Sequence, residues 1–150
     1  MDNMKKNIVE AGLRKQFEVI NDFKTRIREA MENDGNVNED SYDNHQQTFQ
    51  AQVLAEVSLL SDELEFANNE LLEMKKIDSD FKHGQVDYGA VVQTDQRIFF
   101  VSAGIEEFTV GNKQYFGISV RSPIYQAMKG KKVGEHFSSH KKGYRIEAIY

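Results

Sequence analysis

Apolar positions in the first half of the chain recur at helical spacing. Leu13, Phe17, Ile20, Ile27 and Met31 step by 4, 3, 7 and 4, with Lys24 at the heptad position left out. Val57, Leu60, Leu64, Ala67, Leu71 and Met74 step alternately by 3 and 4, an a/d seam, and Phe49 and Val53 extend it upstream at a 4,4 spacing. Between the two runs lies Asn33-Asp-Gly-Asn-Val-Asn-Glu-Asp-Ser, rich in turn and capping residues, where Asp40 or Ser41 can N-cap a second helix. The pattern predicts an antiparallel helical hairpin with arms over about 4–32 and 41–76, each roughly 45–55 Å long at 1.5 Å per residue. Two helices share only a narrow seam, so the turn is expected to project from the protein. The alternative is that both helices fold back on the second half.

After residue 80 the period changes from helix to strand. Val86 to Val92 is apolar and β-branched around Tyr88 and Gly89, and Asp95-Gln96 is a turn before the strand Arg97 to Val101. Phe108-Thr-Val, the turn Gly111-Asn112 and Gln114 to Val120 read as a hairpin. Ser122-Pro123 opens a short helix over Ile124 to Met128 that stops at Gly130, and Tyr144 to Ile149 alternates as a final strand. The expected fold class is α+β: a coiled-coil hairpin over 1–78, then a small antiparallel sheet domain with one short helix over 84–150.

Composition sharpens this division. Residues 1–80 hold 9 basic and 18 acidic side chains, whereas 81–150 hold 10 basic and 6 acidic. Eight of the 10 glycines follow residue 80. The formal net charge of -5 argues against a generic nucleic-acid binder. With no cysteine in the 150 residues, disulfides, thiolate metal sites and cysteine nucleophiles are excluded. No apolar run approaches the ~18 residues of a membrane span, and Met1-Asp-Asn-Met-Lys-Lys leads into no apolar signal region, so a cytoplasmic location without membrane contact is expected.

Three features carry candidate chemistry. Residues 32–45 contain Glu32, Asp34, Glu39, Asp40 and Asp43 and no lysine or arginine. Such carboxylates are hard oxygen ligands for Mg²⁺ or Ca²⁺, but their spacing is not that of an EF-hand, and alone they would hold Mg²⁺ weakly. The bland reading is a solvated loop. The basic run Lys129, Lys131, Lys132, Lys141 and Lys142, opposed only by Glu135, offers phosphate contacts or simply solvated turns. Tyr125, Phe137 and Tyr144 there sit at positions expected of core residues rather than stacking platforms. His136 and His140 are four apart, but Gly134 and Ser138-Ser139 argue against a shared helix face, so a metal pair is not expected. No phosphate loop or Ser/His/Asp set is suggested by spacing.

The stretch Ile118-Ser-Val-Arg-Ser-Pro-Ile-Tyr-Gln-Ala-Met-Lys-Gly-Lys-Lys-Val-Gly-Glu resembles the C-terminal signature of bacterial Gre transcript-cleavage factors, and Tyr144-Arg-Ile-Glu-Ala-Ile resembles that family's last strand. The match is specific over about 117–150, looser over 84–116 and architectural over 1–80. The resemblance implies a coiled-coil hairpin followed by an FKBP-like domain, and a transcription elongation factor that binds RNA polymerase at its secondary channel. It implies that Glu39, Asp40 and Asp43 at the tip help hold a Mg²⁺ shared with the polymerase and orient water, so that the polymerase cleaves backtracked nascent RNA. The factor is then an accessory rather than an enzyme. Ser122, Pro123, Ile124, Lys129 and Gly130 would form the polymerase-docking surface. Arg14, Lys15, Lys24, Arg26 and Arg28 on the first helix could face channel acids or RNA, or solvent.

The tip departs from the family pattern Gly-Asp-Leu-x-Glu-Asn-x-Glu-Tyr. Gly35 and Glu39 match, but Asn36 stands where the first acid is expected, and a neutral amide is a poorer Mg²⁺ ligand. Asp40 or Asp43 can compensate, or the protein is a channel-binding regulator without cleavage. Ala103-Gly-Ile-Glu-Glu-Phe-Thr-Val-Gly-Asn also differs from the family's Gly-Pro-acid stretch, so the resemblance is to a divergent branch. Peptidyl-prolyl isomerase activity is disfavoured, because such pockets are usually floored by tryptophan and the chain has none.

Overall fold

The structure is a computed structural model that describes residues 3–35 and 44–150, with side-chain surroundings for 3–32 and 48–150. It is α+β: two N-terminal helices, α1 (Met4–Gly35) and α2 (Asn44–Met74), precede a six-stranded mixed sheet and one short helix. The strands are β1 (Val91–Thr94), β2 (Ile98–Val101), β3 (Glu106–Val110), β4 (Lys113–Ile118), β5 (His136–Ser139) and β6 (Lys142–Ile149), with α3 (Pro123–Met128) between β4 and β5. No described helix is long and apolar enough to cross a membrane. The chain divides into two compact units, one of Met1–Gln16 with Glu70–Tyr150, the other of Phe17–Asn69.

In the first unit the sheet order is β3-β4-β2-β1-β6-β5. The expectation of a purely antiparallel sheet is corrected: β2 and β4 run parallel, with Phe99 opposite Phe116 and Val101 opposite Ile118. The reason is the placement of the β3–β4 hairpin. Its second strand, not its first, lies beside β2, and β3 pairs outside it from Glu106–Gly117 to Val110–Lys113. The expected strand over 86–92 is shorter than its apolar run, because Gly89 adopts φ 87° and ordered pairing starts at Val91. Beyond the expected elements the structure adds β5, whose register with β6 sets His136 opposite Arg145 and Phe137 opposite Tyr144.

Both faces of the central strands are covered. On one face Val92, Phe99, Val101, Ile118, Phe137, Tyr144 and Ile146 pack with Tyr125 and Met128 of α3. The rings of Phe137 and Tyr144 stack at 4.9 Å, and Tyr144 meets Phe99 edge-on at 5.7 Å. On the other face Phe100 packs edge-on to Phe108 at 6.3 Å, and Phe108 stacks on Tyr115. The first turns of α1 also lie here: a Cβ at Gly12 would come 2.8 Å from the Phe100 ring, so glycine is what permits this close approach. Fully burying Phe99 and Phe100 is worth about 1.5–3 kcal/mol each.

Along α1 the covered line differs from the expected one. Phe17 and Met31 are 47% and 57% exposed, while Gly12, Gln16, Ile20 and Ala30 are buried. The covered line runs through a glycine and a glutamine, residue types that do not register as hydrophobic. Along α2, Val53, Ala67, Leu71 and Met74 are buried and Val57, Leu60 and Leu64 half-buried, but Phe49 is exposed.

Candidate functional site

Glu39, Asp40 and Asp43, and with them the expected cap at Asp40 or Ser41, lie outside the described residues. Among the described residues no group of three or more His, Asp or Glu is placed to hold a metal ion.

The docking candidates fall on both ends of α3. Ser122 is the N-cap: its Oγ accepts from the Tyr125 backbone N–H at 3.3 Å and donates to Ser119 O at 2.6 Å. Pro123 follows in the first turn, where its missing N–H costs nothing. Ile124 is half-buried against the core, so only part of its side chain faces outward, whereas Pro123 is exposed. At the other end the Lys129 N–H closes the helix on Tyr125 O at 2.8 Å, and Gly130 takes φ 76°. Gly130 N–H then donates to Val86 O, and Val86 N–H to Lys131 O, which ties this turn to the segment before β1. The side chain of Lys129 is exposed. Local chemistry thus fixes the segment at both ends and leaves Pro123, Lys129 and Gly130 on the surface.

The basic run is spread over separate elements. Lys131 and Lys132 lie in the loop before β5, where Glu135 accepts from the Lys132 backbone N–H at 2.9 Å. His140 and Lys141 form the two-residue turn of the β5–β6 hairpin, both with positive φ. His136 is exposed on β5, so it and His140 occupy a strand and a turn rather than one helix face. Tyr125, Phe137 and Tyr144 are core residues, as expected.

The structure brings together titratable groups that the sequence shows only as isolated residues. Lys5 is only 6% exposed, and its Nζ donates to Phe81 O. Burial lowers its pKa against the opposing charge of Asp78. His83 packs edge-on to Phe81 at 4.8 Å, and burial, then the Lys5 charge, lowers its pKa, with Asp87 opposing. Tyr88 is half-buried, its hydroxyl has no hydrogen-bond partner among the described residues, and burial followed by Glu73 and Glu70 pushes it up to about 12. Glu73, Ile77, Phe81, His83 and Tyr88 line one shallow cleft, of about 230 Å³. Only the isolated apolar Phe81, at 56% exposure, hinted at it in the sequence.

No protein-family model matches the chain, and no curated protein matches it in sequence.

Proposed function

We propose that the protein is a Gre-like accessory factor of RNA polymerase, with α1 and α2 paired as a coiled-coil hairpin ahead of an FKBP-like domain, acting in the cytoplasm. The observation that carries the reading is the acidic sequence free of lysine and arginine that joins two helices of 32 and 31 residues, in a chain whose 118–135 and 144–149 segments resemble that family. Helices of this length reach about 45 Å. The line of covered residues on α2, repeating every three or four positions, supports pairing. The exposed Pro123, Lys129 and Gly130 at the two ends of a rigidly capped α3 support a docking role for that segment.

In this reading Glu39, Asp40 and Asp43 supply hard oxygen donors suited to Mg²⁺, held jointly with the polymerase. When bound, the metal supplies charge neutralisation and an activated water. The role of this chain's carboxylates is to bring negative oxygens to a catalytic chamber that is not its own and to orient water there. The test is RNA cleavage by stalled complexes of the cognate polymerase in Mg²⁺, with wild type beside Glu39→Gln and Asp40→Asn. Stimulation by wild type and its loss in the variants is expected.

Asn36 favours a second reading, in which the factor occupies the channel without promoting cleavage. Polymerase binding with background cleavage, and competition against a cleavage-competent factor, would select it. Absence of polymerase binding would reject both.

A further inference from the structure

The β1–β2 and β3–β4 turns flank a groove of about 460 Å³ lined by Gln93, Gln96, Arg97, Ile98, Lys113, Gln114 and Phe116. We propose that this groove binds a nucleoside phosphate, with the phosphate on Lys113 and Arg97 and the base over the Arg97 guanidinium.

The backbone that presents Arg97 is fixed. Thr94 Oγ1 accepts from the N–H groups of Gln96 at 3.2 Å and Arg97 at 3.0 Å, and donates to Arg97 O at 2.7 Å. Arg97 lies two residues before Phe99, which is paired with Phe116, so strand periodicity puts Arg97, Gln114 and Phe116 on one face, while Lys113, three residues before Phe116, alternates to the other face and lines the groove from the start of β4. The guanidinium carbon sits 4.6 Å from the Phe116 ring centroid, a cation–π contact that holds the planar group over the ring.

The groove's polar groups are unspent. Among the described residues, the side chains of Gln93, Gln96, Arg97, Lys113 and Gln114 make no hydrogen bond or ion pair. Arg97 offers five donors in a planar fork and Lys113 three, while three side-chain amides offer both donors and acceptors. No carboxylate lines the groove. Asp95, in the same turn, accepts from the Arg145 backbone N–H at 2.9 Å. Glu107 is the nearest acid by register, opposite Phe116 on β3.

Two cations without an acid select an anion. The fork of Arg97 matches phosphate oxygens, and a guanidinium stacked on an aromatic ring is a surface on which a base can lie. Side-chain amides can pair with the edge of a base, which a simple anion lacks. The volume falls in the range of small-molecule sites. The ligand can be a free nucleotide or the end of a single strand, since the chemistry is shared.

The test is a backbone-amide NMR titration of the full chain with adenosine and guanosine monophosphates, alongside adenosine, inorganic phosphate and a short oligoribonucleotide. Saturable shifts at Gln96, Arg97, Lys113 and Gln114 are expected with the nucleotides, and adenosine or phosphate alone should bind about tenfold or more weakly. Arg97→Ala and Lys113→Ala should each cost about tenfold in affinity. Arg97→Lys should also weaken binding, because it keeps charge and loses the planar face, whereas Glu107→Gln should strengthen it. These side chains are exposed, so the variants should fold. Tighter binding of the oligoribonucleotide would assign the site to a strand end, and preference for the mononucleotide to a free ligand. No saturable shift, inorganic phosphate matching the nucleotides, or shifts centred on Lys129–Lys142 would overturn the proposal. None of these readouts depends on polymerase.

Discussion

Replacing Gly117 by alanine tests how tightly the β2–β4–β3 region is assembled. Gly117 lies mid-strand in β4, opposite Phe100 on one side and Glu106 on the other. A Cβ there would stand 2.1 Å from Ile105 Cγ1, 2.8 Å from Ile105 Cδ1 and 2.8 Å from the Ala103 carbonyl oxygen. Carbon atoms rest at about 3.5–4.0 Å, so Cγ1 alone must retreat by roughly 1.5 Å. Ile105 is 2% exposed, and its N–H is held on Ala103 O at 2.8 Å, so neither side chain nor backbone has room to yield. Overpacking costs about 1–3 kcal/mol and more where backbone is struck, so Gly117→Ala should cost about 3 kcal/mol. With a urea slope near 2 kcal/mol/M this lowers the midpoint by roughly 1.5 M. Tyrosine fluorescence is a suitable probe, since Tyr88, Tyr115, Tyr125, Tyr144 and Tyr150 all belong to the unit that contains the sheet. Ile105→Ala alone should cost about 2–5 kcal/mol through its cavity, but adding Gly117→Ala to it should cost only about 1–2 kcal/mol more, because the clash with Cγ1 and Cδ1 is gone and only the 2.8 Å approach to the Ala103 carbonyl oxygen is left. A Gly117→Ala protein as stable as wild type, or simple additivity in the double variant, would refute this account of the packing.

Ser122→Ala removes the acceptor for Tyr125 N–H and should cost about 1 kcal/mol by thermal unfolding, with Ser122→Asp largely retaining stability. Tyr88→Phe deletes a buried hydroxyl that has no partner among the described residues and should leave stability unchanged or raise it, measured by urea unfolding. With Tyr88 at about 12 in the folded state against 10.0 unfolded, the unfolded tyrosine loses its proton first. Stability should therefore fall as pH rises from about 10 towards 12, and less so in Tyr88→Phe. For His83 the folded pKa is depressed below 6.5, so the unfolded state takes up its proton first. Stability should fall as pH drops through 6.5 to the lower folded value, and His83→Gln should flatten that limb of a melting-temperature profile.

The elements that were legible in the sequence are those fixed by local chemistry. Ser122-Pro123 and Gly130 bracket α3 because capping, a preset φ and a left-handed turn are single-residue properties. The β3–β4 hairpin was legible for the same reason, its turn built around Gly111 at φ 64°. β5 was hidden, because His-Phe-Ser-Ser carries one apolar side chain and its turn uses His140 and Lys141 where glycine or asparagine would be the signal. Its stability comes from Phe137 on Tyr144, a pairing set by register. The parallel β2–β4 contact was equally invisible, since nothing local to either strand records which neighbour it accepts. Gly12 is the opposite case: a lone glycine in a helical run marked where α1 meets Phe100, but spacing alone could not name the partner. Of the candidate sites, the α3 segment was legible, the tip falls outside the described residues, and the Arg97 groove arises from turns that come together only in the sheet.

The strand order carries a consequence for assembly. β1 and β2 form a hairpin of neighbours, yet each of its outer sides is later occupied by a strand from further along the chain, β4 beside β2 and β6 beside β1. Until both arrive, the hairpin presents two rows of unpaired peptide groups to any extended chain nearby. A fragment ending before Lys113 keeps both rows open, and one ending before Lys142 keeps the β1 row open. Such pieces are templates for self-association, so the central hairpin behaves as a soluble element only within the completed sheet.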